Sequence, residues 1–195
     1  MQAHILEGGF SDPPIDAAHA FRAVMTAMAR PGDICEIAGA QPPAPMSKAA
    51  GAVVLTLCDG ETPIFLAASH DTPQVRDWIT FHTGAPFVAP QKAMFALGAW
   101  DQLPLTDFPV GTSEYPDRSA TLIVECAAMS QSGAILQGPG IKDQAELLLP
   151  ELEAFQTNAL LFPLGLDFIF TSGTCLGALP RTTKVSAPSG VTTVS

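Results

Sequence analysis

The cations of this chain are few, five arginines and four lysines, and their positions limit the anion chemistry it can perform. Arg22 stands between Phe21 and Ala23 in a stretch with helical spacing, where a guanidinium could grip a carboxylate or phosphate through two parallel hydrogen bonds. The plainer alternative for Arg22 is an exposed or salt-bridged side chain. Arg181-Thr182-Thr183-Lys184 groups two cations with two hydroxyls directly after an apolar run, a weak anion-binding arrangement that a solvated edge would explain equally well. Gly138-Pro139-Gly140-Ile141 could present backbone N–H groups to an anion, although a turn alone accounts for it. Cys58-Asp59 could supply a thiol nucleophile with His82 as its base if the fold brought them together. A cysteine ending an apolar segment is more often a small core hydrophobe, and a histidine in a last helical turn suits the carbonyl ends there.

The remaining chemistry is excluded by spacing. His4, His19, His70 and His82 form no HxH, HxxxH or HExxH pair, and Cys35, Cys58, Cys126 and Cys175 form no CxxC, so no metal site is expected and the thiols should be free. No lysine carries a local signature for a Schiff base. The chain lacks a GxxxxGK[ST] phosphate loop, a GxGxxG opening a helix and a GxSxG elbow. No cofactor is expected.

Composition narrows the partners. The 195 residues carry a formal charge of −10, with 9 Lys+Arg against 19 Asp+Glu, so the long-range field repels nucleic acid and anionic lipid. Charged residues make up 14% of the chain and hydrophobic ones 47%, against roughly 25% charged in an average soluble protein. So sparse a charge suggests that part of the exterior is covered by another protein. The start MQAHILEGGFSD has no basic, apolar signal pattern, and no run of about 18 apolar residues occurs. A cytoplasmic location is expected, with neither membrane nor nucleic acid as partner.

The elements that must position these residues follow from periodicity and punctuation. Asp12-Pro13-Pro14 opens a helix to about Ala29, with Ile15, Ala18, Phe21, Val24, Met25 and Met28 predicted on one apolar face. Ser47 caps an all-round apolar helix over 48–57, and Thr72-Pro73 starts another over 74–81. Strands are predicted at 34–37, 63–67, 93–98, 121–127, 134–137, 166–171 and 176–179, and a helix at 151–161. The segments 121–127 and 134–137 read as a hairpin, and 101–118 as a long surface loop. The sum is a single α/β domain over residues 1–184 built on a mixed sheet, followed by a flexible tail over 185–195.

Several segments then fall into a familiar order: Phe21-Arg22 with Ala27-Met28 and Pro31-Gly32, Leu55 to Asp59 with Thr62-Pro63, FHTGAP at 81–86, and ATLI at 120–123. LxGPGI at 136–141, FPLGLD at 162–167 and PRTT at 180–183 complete the series. Together they resemble the PhnH family, the H subunit of the bacterial carbon–phosphorus lyase system, from about Phe21 to Val185. The resemblance implies a three-layer mixed-sheet fold similar to pyridoxal phosphate-dependent transferases, without the cofactor. It implies an accessory subunit of a core complex with the G, I and J subunits, and a homodimer when isolated. It also implies that the chain is required with the G, I and L components to form alpha-D-ribose 1-methylphosphonate 5-triphosphate from ATP and an alkylphosphonate. No catalytic residue is carried over. Arg22, His82, Asp167, Arg181 and Thr182 are motif positions and candidates for ligand or partner contact. The competing expectation is a self-contained dimeric transferase or hydrolase, or a binding module, for a small anionic substrate.

Overall fold

A computed structural model describes residues 7–188. Helices and strands alternate as far as α3 and strands predominate after it: α1 (Pro13–Ala29), β1 (Cys35–Glu36), α2 (Lys48–Leu57), β2 (Ile64–Leu66), α3 (Pro73–Thr83), β3 (Phe95–Ala99), β4 (Thr121–Glu125), β5 (Ala134–Gln137), β6 (Ala145–Leu147), α4 (Leu152–Leu160), β7 (Asp167–Ser172), β8 (Cys175–Leu179) and β9 (Lys184–Ser186). Local chemistry sets the helix starts. The Ser47 hydroxyl accepts from Ala50 N–H and the Thr72 hydroxyl from Val75 N–H, each satisfying an amide of a first turn. At α1 the Asp12 side chain, at the cap position, makes no capping hydrogen bond. Instead Asp16 reaches back and accepts from Asp12 N–H and the Ser11 hydroxyl.

The strands divide into a six-stranded sheet in the order β1-β8-β7-β4-β3-β2 and a three-stranded sheet in the order β6-β5-β9. In the large sheet β2, β3, β4 and β7 run parallel, while β8 is antiparallel to β7 and β1 to β8. Successive side chains of the central strands enter opposite cores, as the period of two requires. Ile123 and Ile169 pack with α1, α2 and α3, whereas Leu122, Val124, Phe168 and Phe170 pack with the second sheet and Phe155 of α4. The result is a layer of helices, the six-stranded sheet, and a layer made of the small sheet with α4.

Several expectations are corrected here. The hairpin of β4 with β5 does not form, because β3 and β7 occupy both edges of β4, and β5 pairs with β6 and β9. β6 was not predicted. The tail expected from Val185 begins inside β9, where Val185 is buried and pairs with Leu136, and residues 189–195 lie outside the described residues. The loop at 101–118 is not purely a surface feature, since it contains 3-10 turns and buries Leu103 and Phe108. The apolar face predicted for α1 splits. Ala20, Val24 and Ala27 are buried, while Ile15, Phe21 and Met25 point outward, because the two alanines let the helix approach α2 and β8 closely.

Candidate functional site

Two of the sequence candidates meet in one cluster. Asp167 opens β7 and Arg181 follows β8, and the antiparallel pairing of these strands brings both to the same end of the sheet. The Asp167 carboxylate accepts from the Arg181 backbone N–H at 2.8 Å and from its Nε at 3.2 Å, and the ion pair is closed by Nη2. The same guanidinium donates to the Pro116 carbonyl at 2.6 Å and to the Ser119 hydroxyl. Side-chain exposures of 13% for Arg181 and 17% for Asp167 make this a mostly dry pair. Arg181 is thus a clasp holding the turn between Val110 and Ser119 onto the sheet, with its charge neutralised by Asp167 and its donors directed at protein acceptors.

The other candidates are distributed. Arg22 is exposed on the outer face of α1, where its guanidinium makes no hydrogen bond or ion pair among the described residues. His82, in the last turn of α3, packs against the Trp78 ring at 4.8 Å between centroids and makes a 3.3 Å hydrogen bond with the Glu7 carbonyl. Thr182 is half-buried in the turn before β9. Among the motif glycines a packing role is visible. Gly140 has φ +82°, and a Cβ there would lie 1.9 Å from the Ala29 carbonyl oxygen, so the turn after β5 closes directly onto the end of α1. Cys58 is buried and shares no hydrogen bond with His82 among the described residues, the His82 ring bonding the Glu7 carbonyl instead, and burial, reinforced by Asp59, pushes the Cys58 thiol up to about 12.

The carboxyl end of the parallel strands, where open α/β sheets usually hold ligands, is built around a residue the sequence reading missed. Glu125 ends β4 and is accepted into the first turn of α2: its Oε1 receives the Ser47 hydroxyl at 2.6 Å, the Ser47 N–H at 3.2 Å and the Thr171 hydroxyl at 2.9 Å. Burial raises its pKa above the ordinary carboxylate value, and the bonds from Ser47 and Thr171 only partly offset this. A carboxylate already stands where a helix amino end would otherwise favour an anion. Nearby on the same edge, Ser69 accepts from Ala99 N–H at 3.0 Å and contacts His70, whose burial lowers its pKa. The available signal was a lone acidic residue closing the apolar run TLIVE.

Among the described residues no group of three or more His, Cys, Asp or Glu side chains could hold a metal ion, and no helix is long and apolar enough to cross a membrane. All four lysines are exposed. What the surface does offer is apolar: Ile15, Phe21 and Met25 on α1, Phe81 on α3, and Leu160, Leu161 and Phe162 at the end of α4.

The family model described as bacterial phosphonate metabolism protein (PhnH) matches residues 8–186. The alpha-D-ribose 1-methylphosphonate 5-triphosphate synthase subunit PhnH of Rhizobium meliloti (strain 1021) is 41% identical over 199 aligned residues, covering 94% of this chain and 97% of that protein. HtxG of Stutzerimonas stutzeri, whose name carries a provisional assignment as a C-P lyase subunit, is 28% identical over 179 residues, covering 86% of this chain and 84% of its own. A match that runs from the segment before α1 through β9, and so takes in both sheets, the clasp and the Gly140 turn, places this chain in the PhnH family of bacterial phosphonate metabolism proteins.

Proposed function

We propose that the chain is an accessory, non-catalytic subunit of a carbon–phosphorus lyase core complex, acting with the G, I and L components when alpha-D-ribose 1-methylphosphonate 5-triphosphate is formed from ATP and an alkylphosphonate. The observation that carries this reading is the near end-to-end likeness to a protein named as a subunit of that synthase. The geometry supports a role through contact: the best-placed cation, Arg181, is committed to protein acceptors, and a carboxylate sits at the amino end of α2. The large exposed side chains on α1 and α4 supply surface for neighbours. The G, I and J subunits are the partners this reading names, in the cytoplasm, with a homodimer as the form of the isolated chain. The likeness to pyridoxal phosphate-dependent transferases belongs to the same proposal, with the exposed lysines leaving the cofactor's Schiff base without a sheltered partner.

The test is co-expression with the G, I and J subunits of the same source, followed by size-exclusion chromatography with mass determination. A stable assembly containing this chain is expected, with the isolated chain inactive on ATP and methylphosphonate. A chain that elutes apart from folded partners, or one that consumes both substrates alone, would overturn the reading in favour of an independent transferase.

A further inference from the structure

We propose that the groove beside α4 and the apolar corner that follows it seat a segment of a partner polypeptide that combines a bulky apolar side chain with flanking Lys or Arg. This rests on the subunit reading above and adds to it a location and a chemistry. The groove has a volume of about 580 Å³, with Leu105, Val110, Leu161, Leu166 and Phe168 among its walls. At its end Leu160 is 86% exposed, Leu161 44% and Phe162 59%, three large apolar side chains in succession. So concentrated an exposure exceeds the scattered apolar residues of an ordinary surface.

The corner is held in place before any partner arrives. Asn158 Nδ2 donates to the Leu166 carbonyl at 2.9 Å and Asn158 Oδ1 accepts from Leu166 N–H at 2.8 Å, clamping both ends of the intervening turn. Within it Leu164 N–H donates to the Leu161 carbonyl at 2.9 Å and Gly165 N–H to the Val110 carbonyl at 3.0 Å. A turn fixed in this way presents Leu160 to Phe162 with little conformational entropy left to lose on binding.

Charge selects the occupant. Glu151 and Glu153 stand on the rim, and none of the described residues lining the groove is a Lys or Arg. A second copy meeting this face about a two-fold axis would set acidic rim against acidic rim, in a chain that already carries −10. A basic apolar segment of another protein meets the rim with opposite charge and fills the groove with its apolar side chain.

The experiment uses the full chain co-expressed with the G, I and J subunits, comparing wild type with Leu160→Asp and Glu153→Lys. Both positions are exposed, and Glu153, in the first turn of α4, makes no hydrogen bond or ion pair among the described residues. Capture of the partners should weaken about tenfold or more for each variant with thermal melting lowered by no more than about 4 °C, and the Glu153→Lys effect on capture should shrink at high salt. Variants that assemble like wild type would overturn the docking seat while leaving the subunit reading intact. Wild type that fails to assemble would overturn both. An isolated wild-type dimer that Leu160→Asp splits into monomers would identify the occupant as a second copy and overturn the choice made here.

Discussion

Replacing Asp167 by Ala separates a structural clasp from a ligand site. In the native fold this carboxylate accepts three donors of Arg181, its backbone N–H, Nε and Nη2, and is 17% exposed. Its removal leaves the guanidinium with only the Pro116 carbonyl and the Ser119 hydroxyl in a site that is 13% exposed. An exposed pair would cost about 0–1 kcal/mol to break. Stranding one partner of a buried pair costs about 3–5 kcal/mol, and the residual exposure here puts the expected loss near the lower end, about 3 kcal/mol. For a chain of this size that corresponds to a melting temperature lower by about 6–12 °C. Urea unfolding followed by tryptophan fluorescence and far-ultraviolet circular dichroism measures the loss. The double variant Asp167→Ala/Arg181→Met should cost less than the sum of its single changes, by about 2 kcal/mol, because the methionine removes the stranded charge while filling its space. A loss under about 1 kcal/mol, or a strictly additive cycle, would refute the clasp. Phosphate titration of the single variant provides a further control: binding at the freed guanidinium only after Asp167 is gone would agree with the neutralised pair described above.

Glu125 makes a prediction about pH. Its folded pKa is raised by burial above the ordinary value of 4.5, so the native state holds this proton longer than the unfolded chain does. The group's contribution to stability is therefore fully present below 4.5 and is lost as pH rises through the raised folded value. Glu125→Gln keeps an oxygen for Ser47 and Thr171 and should flatten this part of the stability profile, whereas parallel urea curves for the two proteins across that range would contradict the assignment. Cys58, with its thiol pushed up to about 12 from 9.0, should react roughly a thousandfold more slowly with a thiol reagent than a free cysteine does. Mass mapping after native labelling that finds Cys58 modified ahead of the half-buried Cys35 and Cys175 would contradict its burial.

Much of the helical layer was legible because its signals are local. Ser47 and Thr72 each place a hydroxyl three residues before an amide, and that is how both helices begin. The buried face of α1 was harder to read. Ile15, Phe21 and Met25 have the right spacing for a core stripe, but two small residues, Ala20 and Ala27, decide which side packs. Strand pairing was least legible. β6 and β9 have three residues each, too few to show alternation, and the partner of β5 depends on β4 having both edges filled by elements distant in sequence. The motif positions were visible, but their roles were not. Asp167 and Arg181 bond each other across the ends of β7 and β8, and Gly140 is demanded by the Ala29 carbonyl. Glu125 escaped notice because its importance lies in Ser47, 78 residues away.

The position of β9 in the small sheet sets the order in which the protein can be completed during synthesis. β5 is translated well before residues 184–186, and until they leave the ribosome one side of β5 has no strand beside it. An open edge of this kind is a template for pairing with the wrong chain. The nascent protein therefore passes through an interval in which β5, with Leu136 facing its future core, is vulnerable to aggregation, and a chain cut short before Lys184 would remain in that interval permanently.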